Sequence, residues 1–274
     1  MAKRIPKTEA PEQIRVKHAP ETLERFCEVY IPQAPSVYTY GVPSGLFAGP
    51  EIRRGSVVWV QFATRKAPSL AVVAKVHTER PAFNVRCAYP HASGYVFSER
   101  YMESLEWVAR YYISTPMKAL DVFWPADFGK YLDALAARQA EAGEVSGEEG
   151  AAAQMPARPD VPPLTDEQQV ALDSLVSDLS GTGFRGSLLH GVTGSGKTRV
   201  YQELAYEALS RGLRVLILVP EIGLTPQTAG RFEDFLRVPV HVLHSALSAP
   251  KRRESFVSIL EGSARVVLGT RSAI

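Results

Sequence analysis

Eight consecutive residues, Gly191-Val192-Thr193-Gly194-Ser195-Gly196-Lys197-Thr198, carry the spacing G-x-x-x-x-G-K-[ST] of a phosphate-binding loop. Glycines at such positions let backbone N–H groups close on phosphate oxygens with no Cβ in the way. Lys197 supplies a cation for the β- and γ-phosphates, and the Thr198 hydroxyl a ligand for Mg²⁺. Val192, Thr193 and Ser195 complete the cradle. The chemistry implied is the binding of ATP with Mg²⁺. The rival reading, a glycine-rich turn without a ligand, has the flanking sequence against it.

Such a loop works only between a strand and a helix. Ser187-Leu188-Leu189-His190 reads as the strand. Val200, Leu204, Ala205, Ala208 and Leu209 fall at helical spacing just after the loop. That helix would aim its positive end at the bound anion. The alternation continues on both sides: helix 166–179, strand 187–190, helix 197–211, strand 214–219, helix 225–236, strand 240–243, helix 249–261 and strand 265–269. This pattern predicts a parallel sheet with helices on both faces.

The chain upstream has a different texture. Residues 1–24 mix charge and proline and read as a mobile tail. The runs 26–31, 37–40, 56–62 and 70–76 are short, β-branched and aromatic, and they predict a small β-barrel or sandwich. Ser98 reads as the N-cap of a helix carrying Leu105, Val108, Ala109 and Tyr112 on one face, and a second helix starts after Pro116. The organisation expected is a tail 1–24, a β-rich domain 25–128, a linker 129–163 and an α/β domain 164–274. The linker assignment rests on the Ala, Gly, Glu and Pro content of its later part.

Net charge over the 274 residues is only +2, which favours no particular partner. Residues 50–90 hold seven basic side chains and two acidic ones, an excess of five that suits a polyanion or a solvated strand face. The two cysteines, Cys27 and Cys87, lack metal-site spacing and read as reduced thiols rather than a disulfide framework. The N-terminus has no apolar stretch of the signal-peptide kind, and the run from Val215 to Pro220 is far too short to span a bilayer. A cytoplasmic, nucleoid-associated protein with no membrane partner is expected.

Four segments together resemble the replication-restart (primosomal) helicases of the PriA family: the loop at 191–198, Val219-Pro220-Glu221-Ile222-Gly223-Leu224-Thr225-Pro226-Gln227, Leu243-His244-Ser245 and Gly269-Thr270-Arg271-Ser272-Ala273. The resemblance implies a partial RecA-like lobe joined to a β-barrel-like DNA-binding domain, an α/β multidomain chain overall. It implies ATP-dependent 3′-to-5′ strand movement on forked and single-stranded DNA, with single-strand-binding protein and other primosome proteins as partners. Residue by residue, it gives Gln168 the adenine edge, a task that suits a carboxamide. It puts Glu221, Thr225, Gln227, Thr270 and Arg271 on the single strand. Tyr38, Thr39 and Tyr40 take the 3′ end of a nascent strand, with Arg65, Lys66 and Arg86 nearby. Tyr38 and Tyr40 alternate along a strand and so share one face, as a stacking platform requires. Trp59 reads as barrel core rather than as a DNA contact.

The sequence departs from the family pattern at several points. Thr39 stands where an acid is usual, which implies only a weak preference for a 3′-hydroxyl. Segment 130–163 is too short and too polar for the family's winged helix. The Asp-Glu that holds Mg²⁺, the second motor lobe and the zinc-binding cysteines are not found, so the chain reads as an N-terminal portion that binds nucleotide but hardly hydrolyses it. Two other classes fit less of the chain. A non-enzymatic restart or scaffold factor using a vestigial motor for docking is the main alternative; a small-molecule P-loop kinase leaves 220–227 unexplained.

Overall fold

The computed structural model describes residues 23–43, 51–62, 65, 67–125, 127–143, 156–181, 183–220 and 225–270. The chain divides into two compact units, Met1–Ser146 and Gly147–Ile274.

In the first unit β1 (Arg25–Tyr30), β2 (Tyr38–Val42), β3 (Val57–Val60), β4 (Ser69–His77) and β5 (Tyr89–Pro90) form an antiparallel sheet in the order β2-β1-β4-β3-β5. The β-branched and aromatic runs of the sequence supply the first four strands. Each end of that order is drawn toward the other. The Gly41 N–H donates to the Arg86 carbonyl at 2.8 Å, and the Ala88 N–H donates to the Gly41 carbonyl at 2.9 Å. The sheet therefore curls into a half-barrel, in which Phe26, Val29, Val58 and Val72 are all buried. Gly55 permits the close approach of the 95–97 segment. Its φ is +85°, and a Cβ there would lie 2.2 Å from the Phe97 carbonyl oxygen, so no other residue fits.

Three helices pack on this sheet: α1 (Glu99–Tyr111), α2 (Pro116–Phe123) and α3 (Phe128–Gly143). Ser98 caps α1 as expected, its hydroxyl accepting from the Tyr101 N–H. The buried face of α1 is Met102, Leu105 and Ala109. Tyr112 lies outside that face and is 70% exposed, because the helix ends at Tyr111 and turns. The α3 helix corrects the expected linker, of which residues 129–143 are helical. Phe128, Tyr131, Leu132, Ala134 and Leu135 fall on one helical face and are buried. Alanine and leucine favour helix, and this face found a core to cover. Asp133 fixes it further, its carboxylate 3.5 Å from Nε2 of the fully buried His91.

The second unit contains α4 (Asp166–Asp178), α5 (Lys197–Ser210), β6 (Val215–Leu218), α6 (Thr225–Leu236), β7 (Val240–Leu243), α7 (Ala249–Glu261) and β8 (Val266–Gly269). Its strands are parallel, in the order β6-β8-β7. Its core joins Ala205 and Leu209 of α5, Phe232, Phe235 and Leu236 of α6, and Val266 of β8. Two expectations fail here. Residues 187–190 are not a strand, and Leu188 is 92% exposed. An apolar run becomes a strand only by sharing a ladder, and β6, β7 and β8 pair among themselves. The sheet is also not covered on both faces along β6, where alternate residues Leu216 and Leu218 are about half exposed. Among the described residues no helix is long and apolar enough to cross a membrane.

Candidate phosphate-binding and nucleic-acid sites

The 191–198 loop ends on the first turn of α5. Gly194 and Gly196 have φ of +85° and +82°, the left-handed region that glycine enters freely. Gly196 is the N-cap of α5 and offers no side chain to the N–H groups of the first turn. Those donors are open to an anion. Lys197 Nζ donates to the carbonyls of Gly191 at 2.6 Å and Val192 at 2.8 Å. The ammonium is thus curled over the mouth of the loop, and Thr198 is exposed beside it. A concave nest of N–H groups, one lysine and one hydroxyl is a donor set for a polyphosphate with its metal ion.

Gln168 lies against this loop. Its Oε1 accepts from the Thr165 N–H at 3.1 Å, the Thr165 hydroxyl accepts in return from the Gln168 N–H, and α4 is closed by a capping box. Its Nε2 donates to the Ser195 carbonyl at 3.1 Å, and a Cβ on Gly196 would meet that nitrogen at 2.2 Å. The glutamine expected to read a base therefore also joins the cap of α4 to the phosphate loop.

Upstream of Thr165 the chain lies along α4 and α5 as a strap. The Tyr206 hydroxyl donates to the Pro156 carbonyl at 3.0 Å, and the Arg158 guanidinium lies 5.0 Å over the Tyr206 ring. Arg158 also pairs with Glu207 and stands 3.6 Å from Glu203. Arg199, two residues past Lys197, donates to the Pro162 carbonyl and bonds Glu203 at 2.8 Å. Glu203 is 4% exposed. A cavity of about 480 Å³ lies under the strap, between Leu164, Leu172, Val176, Arg199, Glu203 and Phe235. Sequence reading missed this arrangement. The proline-rich composition of 156–163 hid it, while the i, i+4 spacing of Arg199 and Glu203 was a legible signal.

On the first unit, Tyr38 and Thr39 are half-buried at the free edge of β2, and Tyr40 is 5% exposed. The Tyr38 ring meets Phe62 edge-to-face, with centroids 4.9 Å apart. The Arg65 guanidinium lies 4.8 Å over the same Phe62 ring. Tyr40 instead turns inward, its hydroxyl donating to the Gln61 carbonyl at 3.2 Å. Burial raises its pKa to about 12, against a smaller opposing effect of Arg86. The two tyrosines do not form an equally exposed pair. Trp59 packs against the cluster of Leu23, Phe26, Val85, Cys87 and Tyr89.

The basic excess of 50–90 is smaller in space than along the chain. Arg54 bridges Glu99 at 2.7 Å and Glu106 at 2.8 Å, both on α1. Cys27 and Cys87 are buried free thiols, and burial pushes Cys27 up to about 12, with Cys87 adding to the shift.

The other expected DNA contacts are unevenly covered. Gln227 is exposed on the first turn of α6, and Thr270, half-buried just past β8, donates its N–H to the Leu243 carbonyl at 3.3 Å. The register Leu218 opposite Gly269 brings the carboxyl ends of β6 and β8 together at one edge of the sheet. Thr225 opens α6. Lys66, Glu221 and Arg271 lie outside the described residues.

Two family models match the chain. Residues 28–125 match the 3′DNA-binding domain (3′BD), and residues 162–274 match the res subunit of type III restriction enzymes. Among individual relatives, the replication restart protein PriA of Bacillus subtilis is 42% identical over 112 residues, covering 41% of this chain and 14% of that protein. The PriA of Synechocystis is 45% identical over 113 residues, with coverages of 41% and 13%. The PriA of Haemophilus influenzae is 45% identical over 111 residues, with coverages of 40% and 15%. The matched part of this chain thus spans about one-seventh of the length of these relatives.

Proposed function

We propose that this relative of replication restart protein PriA acts in replication restart, its first unit holding the 3′ end of a strand at a fork and its second unit holding ATP. The observation that carries this reading is the succession, in one chain, of a 3′ DNA-binding half-barrel and a phosphate loop opening a helix. Neither site alone would point to restart. In the first unit Tyr38 offers a half-exposed ring for a terminal base, and Arg65 and Arg86 offer cations for its phosphates. Thr39 can hydrogen-bond a sugar hydroxyl but brings no charge.

In the second unit the loop N–H groups and Lys197 would hold the β- and γ-phosphates, with Thr198 on Mg²⁺. For phosphate to enter, the Lys197 ammonium must leave the two carbonyls on which it now rests. When bound, Mg²⁺–ATP supplies the phosphoryl chemistry that such lobes couple to strand movement. The edge shared by the carboxyl ends of β6 and β8, with Gln227 and Thr270, is the place for single-stranded DNA, since open α/β sheets take their ligands there. Forked DNA, single-strand-binding protein and the other primosome proteins are the partners this reading implies, with a nucleoid location.

Two titrations test it. Labelled ADP with Mg²⁺ should bind the wild type and fail to bind Lys197→Ala. Forked DNA should bind with a log–log salt slope of about −2 to −3, the value for roughly three phosphates. Equal ADP binding by both proteins, or DNA binding that ignores salt, would overturn the respective half.

A further inference from the structure

The contacts around Tyr40 assign it a task other than stacking. Its ring is buried, yet its hydroxyl reaches the Gln61 carbonyl at the end of β3. The Gln61 side chain is tied to Arg65, its Nε2 donating to the Arg65 carbonyl. The Arg65 N–H donates to the Phe62 carbonyl at 3.1 Å, and Arg65 Nη1 donates to the Ser69 hydroxyl at 3.2 Å. These bonds hold the Arg65 side chain over the Phe62 ring. Phe62 also touches Tyr38. The Tyr38 ring and the Arg65 guanidinium are thus at most about 10 Å apart, both in contact with one shared ring.

We propose that Tyr40 and Gln61 are positioning residues that hold Arg65 in place so that it grips a phosphate of the same DNA strand whose end base stacks on Tyr38. The chemistry fits each part. Arg65 is exposed, and a guanidinium has five donors, so the bond to Ser69 leaves several for a phosphate. A flexible arginine would lose rotamer entropy on binding, and the Phe62 ring and the Ser69 hydroxyl remove part of that cost beforehand. Gln61 is polar at the end of an apolar strand, where its main-chain carbonyl takes the Tyr40 hydroxyl and its side-chain amide bonds Arg65. Tyr40 belongs to β2 and Gln61 follows β3. The two strands are not neighbours in the sheet, so the hydroxyl ties Gln61, and through it Arg65, to the strand that carries Tyr38. This inference rests on the DNA-binding reading of the first unit.

The test uses the full chain and a fluorescein-labelled fork with a 3′-hydroxyl. Tyr40→Phe keeps the ring and removes only the hydroxyl. Its affinity should fall about 3- to 10-fold, the range for one net hydrogen bond. Its salt slope should become shallower by about 0.7–0.9, the value for one phosphate that the protein no longer neutralises. Arg65→Ala should show the same change of slope, and Tyr40→Phe combined with Arg65→Ala should bind no more weakly than Arg65→Ala alone. Gln61→Ala should behave as Tyr40→Phe does. Losses that simply add, a Tyr40→Phe variant that binds as wild type, or one that loses stability with its salt slope unchanged, would each overturn the proposal while leaving the DNA-binding reading intact. A wild-type protein that does not bind the fork would overturn both.

Discussion

Arg199→Ala is the sharpest probe of the second unit, because it strips a buried carboxylate of its closer cation. Glu203 has a side chain 6% exposed and Arg199 one 21% exposed, and they meet at 2.8 Å. The other oxygen of Glu203 lies 3.6 Å from Arg158, which is half in solvent. Breaking a buried pair by removing one partner costs about 3–5 kcal/mol. Arg158 remains, which lowers the figure to about 2–4 kcal/mol by the same reasoning. The lost stacking of Arg199 on Phe235, at 4.7 Å, adds about 0.5–1 kcal/mol. Urea unfolding followed by far-ultraviolet circular dichroism, with hydrogen exchange on α5, reads the loss. A second substitution discriminates charge from packing. Glu203→Gln in the Arg199→Ala background removes the stranded charge and should recover about 1–2 kcal/mol. A loss below about 0.5 kcal/mol for Arg199→Ala, or a double variant no more stable than the single one, would refute the claim that Glu203 depends on this arginine.

Two further outcomes are expected of the first unit. Burial holds the His91 imidazole below its ordinary pKa, with Asp133 opposing the shift, so the unfolded chain takes up a proton first. The contribution of His91 to stability should therefore be fully present above about pH 6.5 and fall as the pH drops below it, and His91→Gln should flatten that slope below about pH 6.5 in urea unfolding. Arg54→Ala should destabilise the unit by roughly 1 kcal/mol through its two part-exposed carboxylate partners, yet leave the salt slope of DNA binding unchanged, because Arg54 is committed to Glu99 and Glu106.

What the sequence made legible was what nearby residues decide. The phosphate loop and the Ser98 cap are local spacings, and each recurs in the structure where its letters stand. The four β-branched runs became strands for the same reason. The misses depend on distant partners. Residues 187–190 have the composition of a strand but no ladder, and no local pattern can report that. The helix at 128–143 was hidden by the polar tract beyond it, although Phe128, Tyr131, Leu132 and Leu135 already had the period of a buried face. Strand alternation correctly put Tyr38 and Tyr40 on one side of β2. It could not show that the half-barrel closes over Tyr40 and leaves only Tyr38 at the edge. The charge count along 50–90 had the same defect, since Glu99 and Glu106 answer Arg54 from a helix some fifty residues away.

End-blocked forks test most directly the proposed hold of the first unit on the 3′ end of a strand. Fork binding is measured by anisotropy for the wild type and Tyr38→Ala, once with a 3′-hydroxyl and once with a 3′-phosphate. Stacking of a terminal base is worth about 1–3 kcal/mol, so Tyr38→Ala should weaken binding to the 3′-hydroxyl fork about 5- to 150-fold. The blocked fork should lose less. With Thr39 beside the platform, the wild type should prefer the hydroxyl only slightly, and Thr39→Asp should widen that preference. An equal loss on both forks by a folded Tyr38→Ala, or no loss on either, would contradict end recognition by this unit.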